Sequence, residues 1–264
     1  MKLNKMLSAS LLGASLVALA SSAHAATSWS FGSGGANNGI ASAYAATNTT
    51  TTGSNYGKAT GTLATTALTS WTGGLGAGGE STAPSHAVDN YGSTEAILLN
   101  LGGAYSLTEF SLGYATHRTG NSADSYQGMT RYAAGADVSI FAYTGNGAPT
   151  LTGSTFTQLV SNGWSLIGNY GNVTNTQSVS TTTTASYWLV AAYNSIFGGT
   201  CSGCSAVGTS GSTGTDYFKL AGVAGTRPGG GGGGSAPEPS TMALLGISML
   251  GAVALRRRQN PAAV

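Results

Sequence analysis

Between residues 27 and 225 the apolar positions fall in short runs, separated by Gly-Asn, Asn-Gly and Gly-Gly steps. Residues 96–101 form an almost unbroken apolar run, as a strand covered on both faces requires. Residues 107–114 alternate instead, with Phe110, Leu112 and Tyr114 set against Ser111 and Gly113, the period-two signature of a strand with one buried face. Residues 137–144 repeat that period through Val138 and Ile140, and residues 164–170, 187–193 and 217–223 supply three aromatic-rich strands. The Thr-rich stretch 60–71 favours strand through its β-branched side chains. No helical period persists for three turns. One short helix is predicted over 154–161, capped by Ser154, with Phe156, Leu159 and Val160 turned inward. The polar stretches 45–54 and 173–185 are expected as exposed loops or edge strands, and the glycine run 73–79 as a flexible turn. The pattern predicts an all-β fold: one antiparallel β-sandwich domain, jelly-roll-like, over residues 26–225.

Both ends break this pattern. Residues 1–25 combine Lys2 and Lys5, an apolar stretch from Met6 to Ala20 and the small-x-small triplet ending in Ala23 and Ala25, which predicts a secretory signal peptide cleaved after Ala25. At the other end a Gly-rich linker, 226–236, leads into the segment 237–264. That segment opens on Pro237, Glu238, Pro239, Ser240 and Thr241, continues as an apolar run over 242–255 and stops at Arg256, Arg257 and Arg258. As a helix the run spans about 21 Å, short of the roughly 30 Å hydrocarbon core, which suits a temporary anchor. The arginines should stay cytoplasmic as a stop-transfer signal and leave the domain on the far side of the membrane.

These C-terminal residues, in this order, resemble the PEP-CTERM sorting signal. The resemblance implies processing by an exosortase after export through the Sec machinery and signal peptidase. It also implies transient insertion in the inner membrane, then delivery to the cell surface or outside of a Gram-negative bacterium that makes exopolysaccharide. The body of the chain is similar to a family of exosortase-dependent surface proteins through residues 84–90, 137–143, 186–189 and 216–220. No biochemical activity comes with that likeness.

Composition narrows the classes further. Only 7% of residues are charged, against about 25% in ordinary domains, while the chain holds 42 glycines, 35 threonines and 33 serines. Helical bundles lack the charges they need for their outer faces. A hydrophobic content of 41%, with 4 Trp, 12 Tyr and 6 Phe, is enough to fill a core and excludes full disorder. Without Lys2, Lys5, Glu238 and the three terminal arginines, the 10 basic and 8 acidic residues become 5 and 7, a mildly acidic domain. Nucleic acid is therefore not an expected partner.

Candidate chemistry is sparse. His86, Asp89 and Asn90 form the densest polar cluster; Asp89 and Asn90 offer oxygen ligands for Ca²⁺, joined by Asp216 if the last strand returns beside them. The alternative is an Asx turn closed by Gly92, which accounts for the same residues without a metal. No other cofactor is expected. Cys201 and Cys204, the only cysteines, lie in a Gly/Ser loop and read as a small disulfide rather than as redox or zinc chemistry. No serine triad or glycosidase motif surrounds His86, His117 or the seven acids, so no catalytic residue is assigned. Among the aromatics, Tyr126, Tyr132 and Trp71 are the candidates for facing a ligand such as a sugar. The expected function is that of an exported surface or matrix protein with a structural or adhesive role linked to exopolysaccharide. The alternatives are a carbohydrate-binding module and, third, a polysaccharide hydrolase.

Overall fold

The computed structural model describes residues 26–32, 38–49, 57–78, 86–118, 132–205 and 214–228. Thirteen strands follow in chain order: β1 (Thr27–Ser30), β2 (Ala41–Thr47), β3 (Ala64–Thr66), β4 (Leu68–Trp71), β5 (Gly74–Ala77), β6 (Val88–Asp89), β7 (Ser93–Arg118), β8 (Tyr132–Ala134), β9 (Ala136–Tyr143), β10 (Trp164–Val173), β11 (Thr176–Ser178), β12 (Ala185–Ala192) and β13 (Asp216–Thr226). Among the described residues one α-helix of four residues, α1 (Phe156–Leu159), stands between β9 and β10. The pairings are antiparallel, so the all-β, antiparallel expectation holds. The main path runs β10-β9-β12-β7-β13-β5-β4.

β7 organises the molecule. Its 26 residues merge two runs that the sequence separates, with Gly102 at φ 69° between them. The first half pairs with β2 and β12, and the second with β13, β11 and β8. The larger core joins Ile97, Leu99, Ile140, Trp188 and Val190 from the first group of strands to Leu75, Phe110, Leu112, Phe218 and Leu220 from the second. Alternate residues of the same strands, Ala96, Leu98, Phe141, Leu189 and Ala191, enter a second core closed by Phe156 and Leu159 of α1 and by Trp164. Residues 96–101 read as a double-faced run because they serve both cores.

The short helix starts at Phe156 and not at Ser154, because Gln158 Oε1 accepts the Thr155 N–H at 2.9 Å and closes the first turn there. Val160 lies past its end and is exposed, not turned inward. The glycine run departs most from expectation. Gly74–Ala77 is a buried strand. A Cβ at Gly74 would overlap the Leu220 carbonyl, and one at Gly76 the His86 carbonyl oxygen, so the missing side chains permit close backbone packing where flexibility was expected.

β13 is paired along both sides. β7 covers one flank, while β1, β5 and β6 share the other. Thr27 lies opposite Gly225, so the first and last strands meet in one corner. There Trp29 packs edge-on against Tyr105, and the Arg227 guanidinium lies 4.9 Å from the same tyrosine ring.

Candidate functional site

Two polar places stand out, one buried and one exposed. The buried one forms where β9 and β13 begin. Asp216 and Asn90 exchange a reciprocal pair of bonds: the Asp216 N–H donates to Asn90 Oδ1 at 2.8 Å, and Asn90 Nδ2 donates to Asp216 Oδ2 at 3.1 Å. Asp216 Oδ1 accepts the Asp137 N–H at 2.8 Å. Asp137 then fastens two further segments, its Oδ1 accepting from the Asn172 N–H at 2.8 Å and its Oδ2 from the Ser205 N–H at 2.6 Å. From Asn90 the network runs the other way through Asn48 to Thr94 and Asn194. Burial pushes the Asp216 carboxyl well above the usual carboxylate range, with the nearby Asp137 charge adding to the shift. Asp137 is also raised by burial, against the lowering effect of the backbone donors from Asn172 and Ser205. Every oxygen of the two carboxylates meets a protein donor, so they act as fasteners between segments distant in sequence.

The last strand returns beside Asn90, and Asp216 bonds to it directly. Asp89 Oδ1 accepts the Tyr91 N–H at 2.8 Å and Gly92 takes φ 70°, the geometry of the Asx turn. Among the described residues no three His, Cys, Asp or Glu side chains gather as metal ligands. Cys201 and Cys204 are disulfide-bonded with their Cα atoms 5.5 Å apart. Their loop is seated on β10 through Asn172 Nδ2, which donates to the Gly203 carbonyl at 2.9 Å, and on Asp137 through Ser205.

The exposed place lies on the outer face of β13 and its neighbours. Phe218 and Leu220 point into the core, so Lys219 between them projects outward. Its partner across the ladder is Tyr114, which therefore shares that face and is 40% exposed. The β4–β5 hairpin brings Trp71 to the same spot: its tip, Gly73, touches the backbone of Gly113, the residue before Tyr114. The Trp71 indole stacks on the His86 imidazole with centroids 4.8 Å apart and planes 15° apart, and Lys219 Nζ lies 5.6 Å from the indole centre. Trp71 nevertheless keeps 47% of its surface exposed. His86 holds its position in a left-handed backbone conformation, φ 58°, against Gly76. Its Nδ1 and the neighbouring Thr69 Oγ1 are buried without hydrogen-bond partners.

Of the aromatic candidates, Trp71 thus sits in an exposed cluster, which His86, Lys219 and Tyr114 complete. Tyr132 opens β8, where its backbone pairs with Arg118, and Tyr126 lies outside the described residues. Asp137 and Lys219 fall within the blocks 137–143 and 216–220, but the sequence assigned neither a role, because those roles depend on registers between strands far apart in the chain. Ala23, Ala25, Pro237, Glu238, Pro239 and Arg256 to Arg258 also lie outside the described residues, as does the apolar run 242–255. Among the described residues no helix is long and apolar enough to cross a membrane.

No curated protein and no solved structure matches the chain. Residues 235–258, however, match a family model, and the chain carries at its C-terminus the PEP-CTERM protein-sorting motif, the mark of an exosortase-dependent exported protein.

Proposed function

We propose that this chain is a non-enzymatic surface or matrix protein, delivered through a transient inner-membrane anchor of a Gram-negative cell and released or transferred by exosortase, with a structural or adhesive role in exopolysaccharide. The observation that carries this reading is the sorting motif at residues 235–258. It is supported by the 7% charged, Gly/Ser/Thr-rich composition, suited to a hydrated polysaccharide surrounding, and by two groups of strands packed over a common core, which we read as the layers of a jelly-roll-like sandwich. Intact-mass analysis of released protein tests it. Cells with active exosortase should release a product lacking residues 242–255, and a released product that retains them overturns the proposal. Changing Arg256, Arg257 and Arg258 together to Glu should impair membrane retention and processing, measured by cell fractionation. A second reading, a carbohydrate-binding module, is favoured by one observation: Trp71 and Tyr114 are exposed together on one sheet face.

A further inference from the structure

We propose that the face around Trp71 binds an acidic polysaccharide, one whose sugar rings bear carboxylates, with Trp71 and Tyr114 as stacking surfaces and Lys219 as the counter-charge. The proposal deepens the carbohydrate-binding reading and rests on it. Three observations converge on this spot.

The first is exposure. Trp71, Tyr91, Tyr114 and Val160 are the exposed large hydrophobic residues among those described, and two of the four share this face. Flat rings with a wet surface are the side chains on which the apolar C–H face of a pyranose stacks, since they offer large contact area and few rotamers to freeze.

The second is that the indole is held in place. His86 lies parallel to it, fixed by a backbone that only the absence of a side chain at Gly76 accommodates. The left-handed φ of His86, its unpaired Nδ1 and the unpaired Thr69 Oγ1 are three local penalties behind one exposed ring. Penalties of this kind persist where the surroundings impose them, and such positions cluster at ligand-binding places. A ring already ordered in the free protein has less freedom to lose when a ligand arrives.

The third is charge. The mature domain has only 5 basic residues, yet one of them, Lys219, is kept over the indole ring, 5.6 Å from its centre. A sugar ring that displaces the flexible Lys219 side chain from the indole and stacks ~4 Å above it leaves the ammonium at the rim of the stack, within reach of the sugar's exocyclic carboxylate. A neutral sugar would displace Lys219 from its cation–π contact and give the ammonium nothing in return, whereas a carboxylate replaces that contact, so the arrangement selects the acidic polymer.

Affinity electrophoresis of the protein as secreted, through gels containing polygalacturonate or dextran, tests the proposal. The wild type should be retarded by polygalacturonate and run freely in dextran. Trp71→Ala should weaken retardation at least tenfold, Trp71→Phe should restore most of it, and Lys219→Gln should weaken it severalfold and flatten its salt dependence. All three variants should keep the wild-type unfolding midpoint. Because Lys219→Gln leaves every packed residue in place, it keeps the test decisive if Trp71→Ala misfolds. Retardation by polygalacturonate that is undiminished in folded Trp71→Ala or in Lys219→Gln overturns the site while leaving a carbohydrate-binding function standing. Equal retardation by dextran overturns the acidic specificity alone. Free migration of the wild type in both gels overturns the site and the carbohydrate-binding reading together.

Discussion

The buried network around Asp216 and the exposed cluster around Trp71 lie along the same strand, only three residues apart at Asp216 and Lys219, yet they solve opposite problems. At Asp216 the polar atoms are withdrawn from water and each finds a protein donor. At Trp71 the apolar surface is left in water, and polar atoms beneath it go unpaired. The first arrangement stabilises the joints between segments; the second leaves surface and polar capacity unspent, which a fold has no reason to maintain for its own sake.

Substitutions can break this contrast. The largest effect is expected from Asp216→Ala, which strands the Asp137 N–H and the Asn90 amide in the interior and should destabilise the domain by about 3 kcal/mol in urea unfolding, with polysaccharide retardation of the folded fraction unchanged. Gly76→Ala comes next. Its Cβ meets the His86 carbonyl oxygen, so a loss of about 2 kcal/mol should accompany weakened retardation, stability and binding falling together in one variant. Replacing Cys201 and Cys204 by Ser should lower stability by about 1–2 kcal/mol, the small effect of opening a four-residue loop, again visible in the urea midpoint. Trp71→Ala, at a half-exposed position, should leave the urea midpoint close to the wild type, a change well under about 1 kcal/mol, while weakening retardation at least tenfold.

The buried carboxyls add a pH test. Asp216 and Asp137 have folded-state pKa values above 3.8, so between 3.8 and those raised values the folded state holds more protons than the unfolded. Stability should therefore be greatest at the acidic side of that window and fall as pH rises through it. For each carboxyl the fall is limited to about 1.4 kcal/mol per tenfold difference in proton affinity between the folded and unfolded states. A urea midpoint that falls with rising pH in the wild type, and falls less steeply in Asp216→Asn, is the expected outcome. A midpoint that rises over the same range would contradict the assignment of the network as the titrating element.

The two regions also differ in how far they were legible. Alternation through Phe110 and Leu112, and the double-faced run 96–101, announced strands because periodicity is local. Asp89, Asn90 and Gly92 announced their turn for the same reason. Asn90 and Asp216 lie 126 residues apart, so only the return of the last strand reveals their bonds. Gly74 and Gly76 misled because glycine signals conformational freedom in a sequence, while here its service is the space it leaves for Leu220 and His86. Trp71 was visible as an aromatic, but its stacking partner and its charge became visible only once β4, β5 and β13 were in register.

β13, bonded along both flanks, leads directly into Arg227, Pro228 and the glycine linker. A pull applied at Arg227 along the strand direction would load the hydrogen bonds to β7, β1 and β6 together in shear and not peel them one at a time from a free edge. Resistance to such a pull is set by the rate of unfolding and not by equilibrium stability. Among the described residues β13 would thus act as a clamp against any load applied at Arg227, yielding only when bonds on both of its sides give way.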